Sequence, residues 1–329
     1  MGLSISMVLP AGLTVRQSIR AAVLAEEAGL HRLWVTENLY TRGAFPILAA
    51  MAASTGRIQL ATGTVSPLLR SPAALAMDVA ALQEISEGRF DLGLGPGPAT
   101  RLAAGGVPTD RPYSRFVAAW ESLQAVLDGT ADQPALEPQL ATRPVRFYLA
   151  ALGDRMLDTA GRRAQGLLMS MFCPPALLGA LVGRARTAAA AAGRPAGEPE
   201  AICYVPISAD DRDPAAARSA AADFLAENFA RFESVPSYER MLLHSPALTL
   251  PTLQRIAADH RAGAGTRVPD EVLDDFLVSG SSEQCASALT RWAEPGLGLT
   301  ELAFAPCGGP GSVEATIEVL GALAAGAAR

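Results

Sequence analysis

Apolar and polar residues follow a repeating order along this chain. A short apolar run leads into a Gly-, Pro- or polar-rich loop, then into a longer stretch with helical periodicity. The apolar runs predict strands at residues 3–9, 32–36, 58–62, 89–94, 145–150, 167–171, 201–208 and 300–305. Between them the periodicity predicts helices at 14–28, 45–55, 72–85, 114–127, 154–162, 175–192 and 313–325, with another beginning at Ser281. Thr14 and Ser71 read as N-caps, Pro72 as a first helical residue and Gly29 as a C-cap. Ser281 with Gln284 reads as a capping box. Eight strands alternating with helices predict a (β/α)8 TIM barrel, formed by residues 1–329 as one domain. The count alone leaves a doubly wound sheet open. Residues 213–275 are too long for one crossover and predict a helical insertion, while 129–144 are polar and Pro-rich.

Composition narrows the chemistry. Half of the 329 residues are hydrophobic, ample for one large barrel core. The net charge of −6 predicts neither nucleic acid nor an anionic membrane as partner. No apolar run is long enough for a transmembrane helix, and the N-terminus shows no signal peptide, so a cytoplasmic protein is expected. Cys173, Cys203, Cys285 and Cys307 lie far apart and are expected to be reduced and mostly buried. All 27 basic residues are arginine, which excludes Schiff-base, pyridoxal-phosphate and P-loop lysines. His31, His244 and His260 form no metal-ligand pair, so no metal site is expected. His31 precedes a strand and is expected on the N-terminal surface of the barrel. No G-x-S-x-G elbow supports a serine hydrolase.

Residues 61–97 form one strand–loop–helix–strand–loop unit whose loops open on the same side, where α/β proteins place ligands. Gly93-Leu94-Gly95-Pro96-Gly97-Pro98 has the wrong glycine spacing for a dinucleotide fingerprint, and its prolines remove backbone donors. It reads as a loop that lets a flat ligand approach the backbone, or as a tight turn. Arg70, before the Ser71 cap, either binds an anion or pairs with a carboxylate. The stretch Thr36-Glu37-Asn38-Leu39-Tyr40-Thr41-Arg42 crowds polar groups at a strand's C-terminal end, as a site or as a solvated loop. Ala150-Ala151-Leu152-Gly153-Asp154 reads as a phosphate seat at a helix N-terminus, with Asp154 alternatively a simple N-cap. These loops hold no self-sufficient nucleophile, which suits an enzyme whose cofactor carries the chemistry.

Three stretches carry a resemblance. They are Ala25-Glu26-Glu27-Ala28-Gly29-Leu30 with Leu33-Trp34-Val35-Thr36-Glu37, then 62–72, then Leu82-Gln83-Glu84-Ile85-Ser86-Glu87-Gly88-Arg89 before the Gly loop. In this order the chain resembles the luciferase-like flavin and deazaflavin oxidoreductases. It is most similar to coenzyme F420-dependent enzymes of the methylenetetrahydromethanopterin reductase type. The resemblance implies a cis peptide at Gly63–Thr64 that bulges against a deazaflavin ring. It implies cofactor contacts from Thr62, Gly63, Thr64, Gly95, Pro96 and Gly97, and a phosphate near Ala150, Ala151 and Gly153. Glu37 and Asn38 become the catalytic candidates, although many relatives carry a histidine where Asn38 stands. Pro98 replaces a glutamate of the sugar-phosphate dehydrogenases, which argues against sugar-phosphate oxidation. Glu84 and Arg89 are expected to pair structurally. The expected activity is hydride transfer between F420 and a small organic substrate held by loops 36–46, 95–112 and part of 235–275. The alternatives are an FMN-dependent monooxygenase and a non-catalytic barrel that binds a flavin or deazaflavin. A homodimer is the family expectation.

Overall fold

Strand pairing closes a ring. The computed structural model describes residues 3–130, 136–137, 144–233, 235–263, 267–308 and 312–327. In chain order its elements are β1 (Ser4–Leu9), α1 (Val15–Glu27), β2 (Arg32–Val35), α2 (Ala44–Ala52), β3 (Gln59–Thr62), α3 (Pro72–Ile85) and β4 (Phe90–Leu94). Next come α4 (Ala99–Ala104), α5 (Pro112–Leu127), β5 (Phe147–Ala150), α6 (Asp154–Arg163), β6 (Gly166–Met169), α7 (Pro175–Ala191) and β7 (Glu200–Ala209). The chain continues through α8 (Pro214–Phe232), α9 (Pro236–Leu242), α10 (Leu250–Arg261), α11 (Asp270–Phe276), β8 (Val278–Gly280), α12 (Ser282–Leu289), β9 (Glu301–Pro306) and α13 (Ser312–Ala327). Strands β1 to β7 pair in parallel in sequence order, and β9 pairs with both β7 and β1. The result is a closed eight-stranded parallel barrel with flanking helices, not an open doubly wound sheet.

Local signals place most elements. Thr14 and Ser281 each form a capping box, with Gln17 and Gln284, and the Ser71 hydroxyl accepts from the Ala74 N–H. Gly29 turns the chain out of α1 at φ +76°. Two elements differ from the sequence expectation. Helix α4 lies inside the segment read as loop, because Ala99-Thr100-Arg101-Leu102-Ala103-Ala104 is helix-prone once Pro98 has been passed. The additional strand β8 pairs with Ile207–Ala209 of β7, beyond the rungs β7 shares with β6. At three residues it is too short to show a period of two. Helices α8 to α11 occupy the stretch expected to be a helical insertion. Most of the Pro-rich segment 129–144 lies outside the described residues.

Alternation along the strands sends one set of side chains into the barrel and the other against the helices. Val8, Trp34, Ala61, Tyr148, Leu168, Ile202, Tyr204 and Ala303 make up an inner apolar cluster. Below it, charged residues at or near the N-terminal starts of five strands fill the barrel floor. The Arg32 guanidinium donates to Glu301, to Asp91 at 3.0 Å and to the Tyr148 hydroxyl at 3.2 Å. It also stacks over the Trp34 and Tyr148 rings. The Trp34 indole donates to Glu301 at 2.7 Å, and Glu200 accepts from Tyr148 and Arg146. Burial raises the Asp91 carboxyl above its ordinary range, and Arg32 pulls it back only in part. Burial also works to raise Glu200, but the hydrogen bonds from Tyr148 and Arg146 outweigh it and leave that carboxyl lowered.

His31 sits at the rim of this floor, 3.9 Å from Glu301 and part-exposed, as expected for the N-terminal surface. Burial, then the Arg32 charge, lowers its pKa from the ordinary 6.5. The unfolded chain therefore binds the proton more tightly than the fold does. Stability is expected to be full above pH 6.5 and to decline as pH falls through 6.5 towards the lowered value. His31→Gln is expected to flatten that decline in melting temperatures measured between pH 7.5 and 5. An unchanged slope would remove His31 as its cause.

Arg89 is structural, but not through Glu84. Its guanidinium donates to the carbonyls of Ala52, Thr55 and Ile58, while Glu84 is exposed. Cys173, Cys203 and Cys285 are buried, and all four cysteines are free. Among the described residues no helix is long and apolar enough to cross a membrane, and no cluster of potential metal ligands occurs.

Candidate functional site

The C-terminal strand ends gather the loops singled out in the sequence. The chain leaves β3 through Gly63–Thr64, whose peptide bond is cis, as the resemblance implies. The Gly63 N–H donates to the Val35 carbonyl at 2.8 Å, and the Gly63 carbonyl accepts from the Thr36 hydroxyl at 3.0 Å. The Thr64 carbonyl accepts from the Glu37 N–H at 3.2 Å. On the other side, the Val65 N–H donates to the Gly93 carbonyl and the Gly95 N–H to the Val65 carbonyl, at 3.0 and 3.1 Å. The loops after β2, β3 and β4 are thus one hydrogen-bonded unit.

Close approach accounts for two of the glycines. A methyl group on Gly63 would lie 2.1 Å from the Tyr204 hydroxyl oxygen and 3.1 Å from Trp34 side-chain atoms. One on Gly95 would lie 2.8 Å from Thr64 Oγ1 and 3.3 Å from the Ala150 methyl. Gly95 therefore packs against Thr64 and Ala150, so that residues after three strands meet there, while Gly63 backs directly onto Tyr204 and Trp34. Pro96 and Gly97 continue the loop. The Pro96 carbonyl accepts from Ser66, and Gly97 is exposed at φ +77°.

Two residues expected at the cofactor are engaged elsewhere. The buried Thr62 hydroxyl donates to the Gly93 carbonyl and accepts from the Gly93 N–H, both at 2.8 Å, so it ties β3 to β4. The Ala151 N–H donates to the Leu168 carbonyl at 3.1 Å and is unavailable to a phosphate. Gly153 is exposed and is itself the N-cap of α6, which leaves that helix end open. Asp154 is the first helical residue, not the cap, and pairs with Arg184 at 3.1 Å.

Glu37 and Asn38 come to the same rim with different partners. Arg70 donates to both Glu37 oxygens at 2.6 Å, and the Ala44 N–H donates to one of them at 3.2 Å. Of the two readings of Arg70, carboxylate pairing is the one observed. This clamp ties the start of α2 to the segment before α3 and encloses Glu37. The Asn38 carboxamide oxygen accepts from Arg101 of α4.

Two contributors escaped the sequence reading. Arg101 was hidden by the loop assignment of its segment. The Tyr204 hydroxyl, buried beneath Gly63, has no hydrogen-bond partner among the described residues, and burial holds its pKa far above the ordinary range. A tyrosine in an otherwise apolar strand was its only signal.

Similarity to known proteins agrees with this geometry. The model of the luciferase-like monooxygenase family matches residues 4–298. The chain is 29% identical over 312 residues to a 5,10-methylenetetrahydromethanopterin reductase of Methanolobus tindarius, covering 91% of this chain and 93% of that protein. It is 33% identical over 175 residues to an F420-dependent glucose-6-phosphate dehydrogenase of Beutenbergia cavernae, covering 46% of this chain and 52% of that protein. Its fold superimposes on the coenzyme F420-dependent tetrahydromethanopterin reductase of Methanopyrus kandleri with a TM-score of 0.76 at 20% identity, covering 98% of each chain.

Proposed function

Because the chain belongs to the luciferase-like monooxygenase family, we propose that it is an F420-dependent oxidoreductase acting on a small organic substrate at the C-terminal end of its barrel. The observation that carries this reading is the meeting of small residues at the strand ends, where Gly95 packs against Thr64 and the Ala150 methyl beside the Gly63–Thr64 turn. A relative named as an F420-dependent dehydrogenase and a structural neighbour named as a coenzyme F420-dependent reductase support the choice of cofactor.

When bound, the deazaflavin supplies a carbon, C5, that gives or accepts a hydride. The chain's own part is to bind, orient and exclude water. Gly63, Thr64, Gly95 and Ala150 would hold the ring, with Pro96 and Gly97 at its edge. The open end of α6 beside Gly153 would hold the phosphate, since unpaired N–H groups and the helix dipole favour an anion there. Trp34 and Tyr204 close the barrel beneath. Asn38 would offer its amide N–H groups to a substrate, and an amide does not shuttle a proton. Glu37, clamped by Arg70, holds the rim in place. Pro98 offers no acid at the end of the Gly loop, which argues against sugar-phosphate oxidation.

Anaerobic fluorescence titration with F420 and with FMN, each oxidised and reduced, tests the reading. F420 is expected to bind at least tenfold more tightly than FMN. Unsaturated carbonyl, imine and pterin-like compounds are then the substrates to screen. Preference for reduced FMN, with oxygen consumption in air, would replace this reading with the monooxygenase one.

A further inference from the structure

Beyond the Gly63–Thr64 turn lies a cleft of about 430 Å³ between the loop after β2 and helix α4, with Asn38, Tyr40, Thr41, Thr100 and Arg101 in its wall. Two contacts define it. Arg101 donates to the Asn38 side-chain oxygen, and the Tyr40 hydroxyl donates to the Ala104 carbonyl at 2.6 Å.

The cleft's hydrogen-bonding capacity is one-sided. Arg101 is half-buried, and among the described residues its partner is a neutral amide oxygen, with no carboxylate at ion-pair distance. A guanidinium carries five N–H donors, most of which remain here. Asn38 accepts through its oxygen, which leaves its NH2 group as a further donor pair. The cleft wall includes no Asp or Glu. The other guanidinium at this rim, Arg70, is engaged by Glu37 and lies 3.7 Å from Asp78, so it cannot take this part.

We propose that this cleft binds a carboxylate of the organic substrate, held by Arg101 and oriented by Asn38; this rests on the oxidoreductase reading above. A planar guanidinium matches a carboxylate in two parallel N–H···O bonds, which fixes orientation as well as position. Asn38 follows Glu37, whose N–H is bonded to Thr64, and Arg101 follows the Pro96–Gly97 turn. The anionic end would therefore anchor beside the proposed ring site, leaving the rest of the substrate to lie over it.

The test is ¹⁹F NMR titration of the full-length protein, without cofactor, using 4-fluorobenzoate and the neutral 4-fluorobenzamide. The benzoate is expected to bind in the millimolar range and the benzamide at least tenfold more weakly. Arg101→Gln is expected to lower benzoate affinity at least tenfold and Arg101→Lys less. Arg212→Gln, at an exposed site in the turn before α8, is expected to have no effect. Melting curves establish that each variant is folded. Equal binding of the two probes, no benzoate binding, or an Arg101→Gln variant that binds normally would overturn the proposal. A repeat with saturating F420 separates the sources of the carboxylate. Retained benzoate binding supports the substrate, whereas displacement assigns the cleft to the cofactor's own acidic tail and also overturns the proposal. Benzoate binding in a protein that ignores F420 would leave the cleft standing and sink the cofactor reading instead.

Discussion

Arg32→Met is expected to lower the unfolding free energy by about 3–5 kcal/mol and the melting temperature by on the order of 10 °C. The guanidinium is almost fully buried and ion-paired to Asp91 and Glu301, whose side chains are only 6% and 4% exposed. Methionine fills much of the volume but leaves two carboxylates facing each other without a cation. Desolvation is what makes this costly, since a buried pair loses far more when one member goes than it gained when formed. The triple variant Arg32→Met, Asp91→Asn, Glu301→Gln is therefore expected to recover most of the loss, with the glutamine oxygen still accepting from the Trp34 indole. Thermal melts of the single and triple variants check both statements. A single variant that melts within 2 °C of the parent would mean that water already reaches the floor.

Gly63→Ala is expected to weaken cofactor binding more than tenfold and to destabilise the fold by about 1–3 kcal/mol, the usual range for overpacking. The new methyl points at the Tyr204 hydroxyl, 2.1 Å away. Tyr204 cannot retreat easily, because its ring packs edge-on against Trp34 at 5.9 Å. The backbone at 63–64 must then move outward, towards the face that would hold the ring. Tyr204→Phe alone is expected to stabilise the protein by about 1 kcal/mol, because it removes a buried hydroxyl that has no partner. Combined with Gly63→Ala, it is expected to restore part of both the stability and the cofactor affinity, a coupling that a double-mutant cycle measures. Strictly additive effects of the two changes would rule out the contact as the cause. Destabilisation by Tyr204→Phe would point to a buried water on that hydroxyl.

These two sites differ in how far they were legible. The glycines of 63–97 were readable because a loop that needs close approach leaves glycine in the sequence. Tyr204, the atom that makes Gly63 necessary, was not readable, since it lies on β7, far along the chain. Thr62 and Ala151 showed the limit of reading roles by position. They stand beside these loops, but the Thr62 hydroxyl proton and the Ala151 N–H are already donated within the barrel.

By itself the sequence determined what depends on neighbours a few residues away. The capping box of Ser281, the caps at Thr14 and Ser71, the turn at Gly29 and the short apolar runs of the strands are local, and each recurs in the structure. Periodicity then implied eight parallel strands, because helical crossovers between short strands admit few other arrangements. Only the tertiary structure decided the long-range partners. Arg70 finds Glu37 across 33 residues, Arg101 finds Asn38 across 63, and Arg32 finds Glu301 across 269. No local pattern encodes such pairs. Barrel closure brings β9 against β1, so charges that open distant strands meet at the floor and loops that end them meet at the rim.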